Sequence, residues 1–289
     1  MSVIKVNNIT SRDGTTGPVI AGITTVSSTS HLVVPTGNSG QRAALAPDPF
    51  INNLVLALPF NSESVFNDLS PRGNQPAPVG FGSTTASLPF GVSGVTTTSA
   101  GIVTFSYYYG TSTYFAGTSY LTLSTNSDFA FGIADFTIEF WAYIPASVSS
   151  NLHGIFDNDY NSTGGVAVAI RQSDSLFSIG PQTSGQGLNY CQFTASFSLN
   201  TWNHFAIVST GGVYRAFLNG VQCSLKTGST SALNVSKTSG TTAVGALVSQ
   251  AGYTMGGYMQ DLRIYKGVAK YTGISTTSAN FTLPTQIAL

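Results

Sequence analysis

The stretch Asp135-Phe136-Thr137-Ile138-Glu139-Phe140-Trp141-Ala142-Tyr143-Ile144 decides the fold class. Phe136, Ile138 and Phe140 recur at every second position, the period that a β-strand lays on one face. Working outward, the same chemistry repeats. Asn53-Leu54-Val55-Leu56-Ala57-Leu58-Pro59-Phe60 is apolar enough for a strand buried on both faces. Ser119-Tyr120-Leu121-Thr122-Leu123 alternates, and so does Gly257-Tyr258-Met259-Gln260-Asp261-Leu262-Arg263-Ile264-Tyr265 near the end. Further strands are predicted over 165–170, 202–208 and 214–218. The last runs into Asn219-Gly220, a two-residue hairpin signal. Asp68-Leu69-Ser70-Pro71-Arg72-Gly73 carries turn chemistry. Helical periodicity is scarce. Many short strands with regular turns predict an all-β, antiparallel jelly-roll sandwich.

Composition sets the limits. Charged residues are 8% of the 289 and balance to zero, whereas hydrophobic residues reach 42% and aromatics 11%. About a quarter of a typical chain is charged, so this surface must be built from Ser, Thr, Asn and Gly. A large core is expected, and disorder across the chain is not. No basic run marks a nucleic-acid footprint. No apolar stretch reaches the ~18 residues of a membrane span. Met1-Ser2-Val3-Ile4-Lys5-Val6-Asn7-Asn8 lacks the apolar region of a secretory signal, which predicts synthesis in a cytoplasm. Two cysteines, Cys191 and Cys223, are too few for a disulfide framework. Reduced, buried thiols fit them better, although a single bridge stays open.

Two regions are expected, an arm over 1–46 and a sandwich over 47–289. The arm holds short β-prone runs at Val3-Ile4, Pro18–Val26 and His31–Val34, with too little apolar mass for a core. It reads as a segment that orders against a partner, and self-association as a homo-oligomer, a trimer by preference, is expected from it.

The ordered motifs of the second region carry a resemblance. Phe115-Ala116-Gly117-Thr118-Ser119-Tyr120-Leu121-Thr122-Leu123, Asp128-Phe129 and Asp135–Trp141 come first. They are followed by Thr201-Trp202-Asn203-His204-Phe205-Ala206, Arg215–Gly220, Gly257–Gly273 and Phe281-Thr282-Leu283-Pro284. In this order they resemble the laminin-G-like branch of the concanavalin A-like lectin/glucanase superfamily. The arm has its own likeness. Ile4–Ile9, Arg12-Asp13-Gly14 and Gly17-Pro18-Val19-Ile20 resemble openings of structural proteins in tailed phages of marine bacteria, cyanophages included. That likeness implies a virion protein held to capsid or tail proteins through residues 1–46. Its sandwich would be displayed as a head decoration, fibre or tail appendage. The alternative is an adhesin or lectin-like module attaching to host-surface polysaccharide. A fold alone does not choose between them.

Catalysis is not expected. Some relatives of the sandwich hydrolyse glycosides with carboxylates crowded on one strand, and a retaining pair stands about 5–5.5 Å apart. This chain has two glutamates, Glu63 and Glu139, neither with an acid two residues away. Asp135 lies four residues from Glu139, roughly 13 Å along a strand. Glu139 reads as a sheet-face carboxylate, His204 as a sheet-face histidine beside Trp202, and Asp261 with Arg263 as an ion pair. Two candidate ligand sites remain. Tyr107-Tyr108-Tyr109 with Tyr114 offers aromatic faces for a glycan, or else a subunit contact or core. Asp157-Asn158-Asp159 supplies oxygens that could hold Ca²⁺, which takes six to eight, or else forms an Asx-rich turn without an ion. No other cofactor is implied.

Overall fold

A computed structural model describes residues 48–60, 66–81, 102–103, 112–148, 151–182, 187–247 and 253–284. Residues 1–46 and Tyr107–Tyr109 lie outside the described residues, so the arm and most of the expected aromatic platform do too.

The described strands are, in chain order, β1 (Leu54–Leu58), β2 (Ala77–Val79), β3 (Ile102–Val103), β4 (Ser112–Ala116), β5 (Tyr120–Ser124), β6 (Phe136–Tyr143), β7 (Leu152–Asn158), β8 (Val166–Arg171) and β9 (Leu176–Pro181). They continue as β10 (Cys191–Thr194), β11 (Trp202–Thr210), β12 (Val213–Leu218), β13 (Val221–Gln222), β14 (Ser224–Gly228), β15 (Thr241–Val244) and β16 (Gly256–Lys266). They pair into two sheets. The first runs β13-β12-β11-β6-β16-β4-β3, with β1 also paired to β16; the second runs β14-β10-β9-β8-β7-β15-β5-β2. Pairing is antiparallel throughout, as in β6 with β11 and β8 with β9. The architecture is the expected sandwich.

The deciding stretch became β6, in the middle of the first sheet, because its two faces have two covers. Phe136, Ile138 and Phe140 enter the main core, together with Phe205 and Ile207 of β11 and Val166, Val168, Ile170, Phe177 and Ile179 of the second sheet. Phe140 meets Phe177 edge-on at 6.0 Å and stacks on Phe205 at 5.4 Å, so the aromatic payload bridges the sheets. The other face of β6 carries Thr137, Glu139, Trp141 and Tyr143, also buried.

Local chemistry sets the corners. Asn219 (φ 50°) and Gly220 (φ 84°) both take the left-handed conformation that a tight hairpin between β12 and β13 requires. Asp68 organises the first turn. Its carboxylate accepts from the backbone N–H groups of Ala57 (2.8 Å), Ser70 (2.9 Å) and Asn74 (2.5 Å) and from the Ser70 hydroxyl (2.8 Å). In β16, Asp261 (φ 57°) sits at a bulge between Gln260 and Arg263, which changes the residues that face β6. Cys191 and Cys223 are buried free thiols, and burial pushes both up to about 12.

Candidate functional site

The outward face of the second sheet is floored by small residues. Along β8, Val166, Val168 and Ile170 point into the core, which leaves Ala167 and Ala169 on the other face. In β9 the inward Phe177 and Ile179 alternate with Ser178 and Gly180. Two covering pieces lie on this floor. A short 3-10 turn, Gly187–Asn189, sits over Gly180, where a Cβ would stand 2.5 Å from the backbone of Gly187 and Leu188. Ala246, Leu247 and Tyr253 sit over Gly154, where a Cβ would stand 2.6 Å from Leu247 N and Tyr253 O. Only glycine permits either approach.

Between these covers a cleft of about 360 Å³ opens, near the small end of the ~300–1,000 Å³ typical of ligand sites. Leu152, Tyr160, Leu188 and Tyr253 supply apolar and aromatic surface; Arg171, Ser178, Gln182, Asn189 and Gln192 supply polar groups. Tyr160 is anchored at both ends. Its backbone N–H donates to Asp157 Oδ1 (2.8 Å), and its hydroxyl oxygen accepts from Leu188 N (2.6 Å). Burial, first, raises the Tyr160 hydroxyl above its ordinary pKa, so it stays protonated at neutral pH. Gln192 Nε2 donates to Asn189 Oδ1 at 3.1 Å, which orients both amides. Tyr253 is 40% exposed, an aromatic face turned partly to water. The lining sets hydrogen-bond groups beside apolar side chains and two phenol rings.

The expected site residues fall elsewhere. Asp157 and Asn158 are the last residues of β7, and strand alternation sends their side chains to opposite faces. Asp157 caps Tyr160. Asn158 is fully buried, with Nδ2 donating to Phe129 O (3.0 Å) and Oδ1 accepting from the Thr242 hydroxyl (3.0 Å). Asp159 forms an ion pair with Lys237 at 2.8 Å. The three do not converge, and among the described residues no group of three His, Cys, Asp or Glu side chains could hold a metal ion. Tyr114 is 7% exposed and packs against Tyr258 at 5.0 Å in a cluster with Tyr143, so it presents no stacking face.

The outward face of the first sheet holds a sealed charge network instead. Glu139, 1% exposed, accepts from Lys270 Nζ (2.6 Å) and from the Tyr271 hydroxyl. His204 Nε2 is 3.5 Å away and Arg263 Nη1 3.9 Å. Arg263 grips Asp261 through Nε (2.9 Å) and Nη2. The expected ion pair is present, two residues apart on one strand. The chain after β16 closes the face, with Tyr271 stacked on Phe281 at 3.6 Å. Burial alone would push the Glu139 carboxyl up; Lys270, His204 and Arg263 outweigh it and hold it well below the usual carboxylate range. His204 does not pack beside Trp202 as expected. Its ring meets Trp141, its cross-strand neighbour, at 5.3 Å, and Phe281 at 6.0 Å, whereas Trp202 meets Tyr143.

Comparison with known proteins agrees with this architecture. The model for the concanavalin A-like lectin/glucanases superfamily, of laminin-G type, matches residues 115–274, more than half of the chain. No curated protein sequence matches. Among solved structures, domain 4 of an extracellular GH43 arabinanase from Geobacillus stearothermophilus, in complex with arabinotriose, is 12% identical (TM-score 0.48; 74% of this chain, 93% of that one). The botulinum neurotoxin serotype D binding domain is 15% identical (TM-score 0.49), covering 77% of this chain, which spans half the length of that one. A Ruminococcus gnavus sialidase CBM40 bound to α2,3-sialyllactose is 12% identical (TM-score 0.38; 48% and 80%). At these identities none of them names a ligand for this protein. From residue 115 to 274 the match follows the motifs that build both sheets, and the chain belongs to the concanavalin A-like lectin/glucanases superfamily.

Proposed function

We propose that the sandwich is a saccharide-binding module and that its ligand lies in the cleft on the outward face of the second sheet. The observation that carries this reading is the lining. Amides from Gln182, Asn189 and Gln192 line the cleft together with Leu152, Leu188, Tyr160 and the half-exposed Tyr253. Sugars need both surfaces, because their hydroxyls want directional partners and their C–H faces pack on aromatic rings. Binding rather than hydrolysis is proposed because no carboxylate lines the cleft among the described residues and two are the minimum for the usual glycosidase mechanism.

A glycan array probed with the whole chain, followed by calorimetry on the hits, tests the proposal. Tyr253→Ala should weaken binding about two- to tenfold, as one aromatic contact is worth ~0.5–1.5 kcal/mol beyond its buried area. An array without hits, or hits indifferent to Tyr253→Ala and Gln192→Ala, would remove the cleft from consideration.

The wider setting is a separate proposal. Display on a phage particle, anchored through residues 1–46, is supported by the resemblance of residues 4–20 alone. Deleting 1–46 should leave a folded sandwich that no longer enters particles; normal incorporation would end the anchoring idea.

A further inference from the structure

We infer that the saccharide taken by this cleft is acidic, with its carboxylate or sulfate group seated on Arg171. The inference rests on the cleft being the saccharide site, and it deepens that reading by naming the ligand's chemistry. Arg171 is the one charged side chain among the lining residues, in a chain whose acids and bases are equal in number. It closes β8, one strand position beyond the Ala167/Ala169 floor, at the cleft wall.

The remaining lining is rich in donors. Gln192 gives one amide hydrogen to Asn189 Oδ1, and Asn189 keeps its own amide group for a ligand. The Tyr160 oxygen is already an acceptor for Leu188 N, so its hydrogen is left to donate. Asp157 Oδ1 is taken up by the Tyr160 backbone. A sugar hydroxyl donates and accepts alike, so the amides meet it without help, whereas the Arg171 guanidinium only donates. A carboxylate or sulfate presents acceptors only, which suits the guanidinium of Arg171 among these groups.

Asp174 holds Arg171 in place. It takes Nε at 2.8 Å and Nη2 at 2.9 Å, and Nη1 is the guanidinium's third nitrogen. The two side chains are 33% and 46% exposed, so this pair is screened and weak. A ligand anion packed in the cleft, partly shielded from water, competes well for the planar fork. Asp174 therefore competes with a ligand anion for the guanidinium and gives way to it.

The test uses matched probes on the full chain. Galacturonotetraose is compared with its carboxyl-reduced galactose form, and a sulfated carrageenan tetrasaccharide with its desulfated form. The two pairs separate carboxylate from sulfate. The acidic member of at least one pair should bind about tenfold or more tighter, a gap that narrows as salt rises. Arg171→Gln should erase the gap, Arg171→Lys should restore part of it, and Asp174→Asn should widen it. Melting curves of the variants should stay close to the parent, given how exposed the pair is. Equal binding of acidic and neutral members, or a gap untouched by Arg171→Gln, overturns the inference and leaves the saccharide site standing. No binding by any probe or by any array glycan overturns both.

Discussion

Glu139→Gln removes one charge from a sealed network and keeps its shape. Two acids, Glu139 and Asp261, face two bases, Arg263 and Lys270, on the outward side of the first sheet. The substitution leaves one positive charge in excess in a place without water to disperse it. Breaking a buried pair in this way costs ~3–5 kcal/mol. A domain of this size loses about 2–4 °C of Tm per kcal/mol, so a fall of roughly 6–20 °C is expected. Urea unfolding followed by tryptophan fluorescence reads it, because Trp141 packs on His204 inside the network. A cycle with Lys270→Met should show coupling of ~1–3 kcal/mol, since the double variant restores charge balance. Saccharide binding should not change, because the cleft lies on the outward face of the other sheet. A cost under about 1 kcal/mol, or strict additivity with Lys270→Met, would refute a sealed, mutually dependent network.

Other outcomes follow from the same geometry. Because Glu139 is held below its ordinary value of 4.5, its contribution is complete above about pH 4.5 and drains away as pH falls below that. The stability gap between the parent and Glu139→Gln should therefore shrink from pH 5 to about pH 2 in urea titrations. Asp68 is raised by burial and runs the opposite way, but both proteins keep it, so it cancels in the difference; Asp261, raised first by burial, is also raised by Glu139 and loses that part of its rise in the variant. Gly180→Ala should lift the Gly187–Asn189 turn off β9 at a cost of ~1–3 kcal/mol and abolish saccharide binding in a folded protein. Retained binding would mean that the turn is not part of the site. Cys191 and Cys223, buried and raised to about 12, should ignore a thiol reagent at pH 8 until the chain is unfolded.

The sandwich was legible because its signals are local. Alternation at Phe136, Ile138 and Phe140 needs no knowledge of the partner strand, and Asn219-Gly220 carries its turn in its own dihedrals. The cleft was not legible in the same way, because it depends on what is missing from side chains rather than on what they contain. A signal was nonetheless there. Val166-Ala167-Val168-Ala169-Ile170 and Phe177-Ser178-Ile179-Gly180 are strands with one bulky face and one nearly bare face, and a bare face lets Tyr160 and the Gly187–Asn189 turn lie close on the sheet and wall the cleft. Asp157 and Asn158 misled because a run of oxygens was read as a loop, whereas they end a strand and part company across it. Tyr114 misled for a related reason. A tyrosine beside Gly and Thr looks exposed, but Tyr258 and Tyr143, far away in the chain, cover it. Glu139 was rightly placed on a sheet face, yet the cover that seals it comes from residues 270–281, more than a hundred positions downstream, which alternation cannot foresee.

The central claim is that the second sheet's outward face is a saccharide site. Backbone amide shifts, followed while the tightest array glycan is titrated in, test it most directly. The account predicts perturbations gathered at Leu152, Tyr160, Arg171, Ser178, Gly187–Gln192 and Tyr253. Shifts gathered instead around Tyr114, Tyr143 and Trp202 on the first sheet, with the cleft silent, would contradict it.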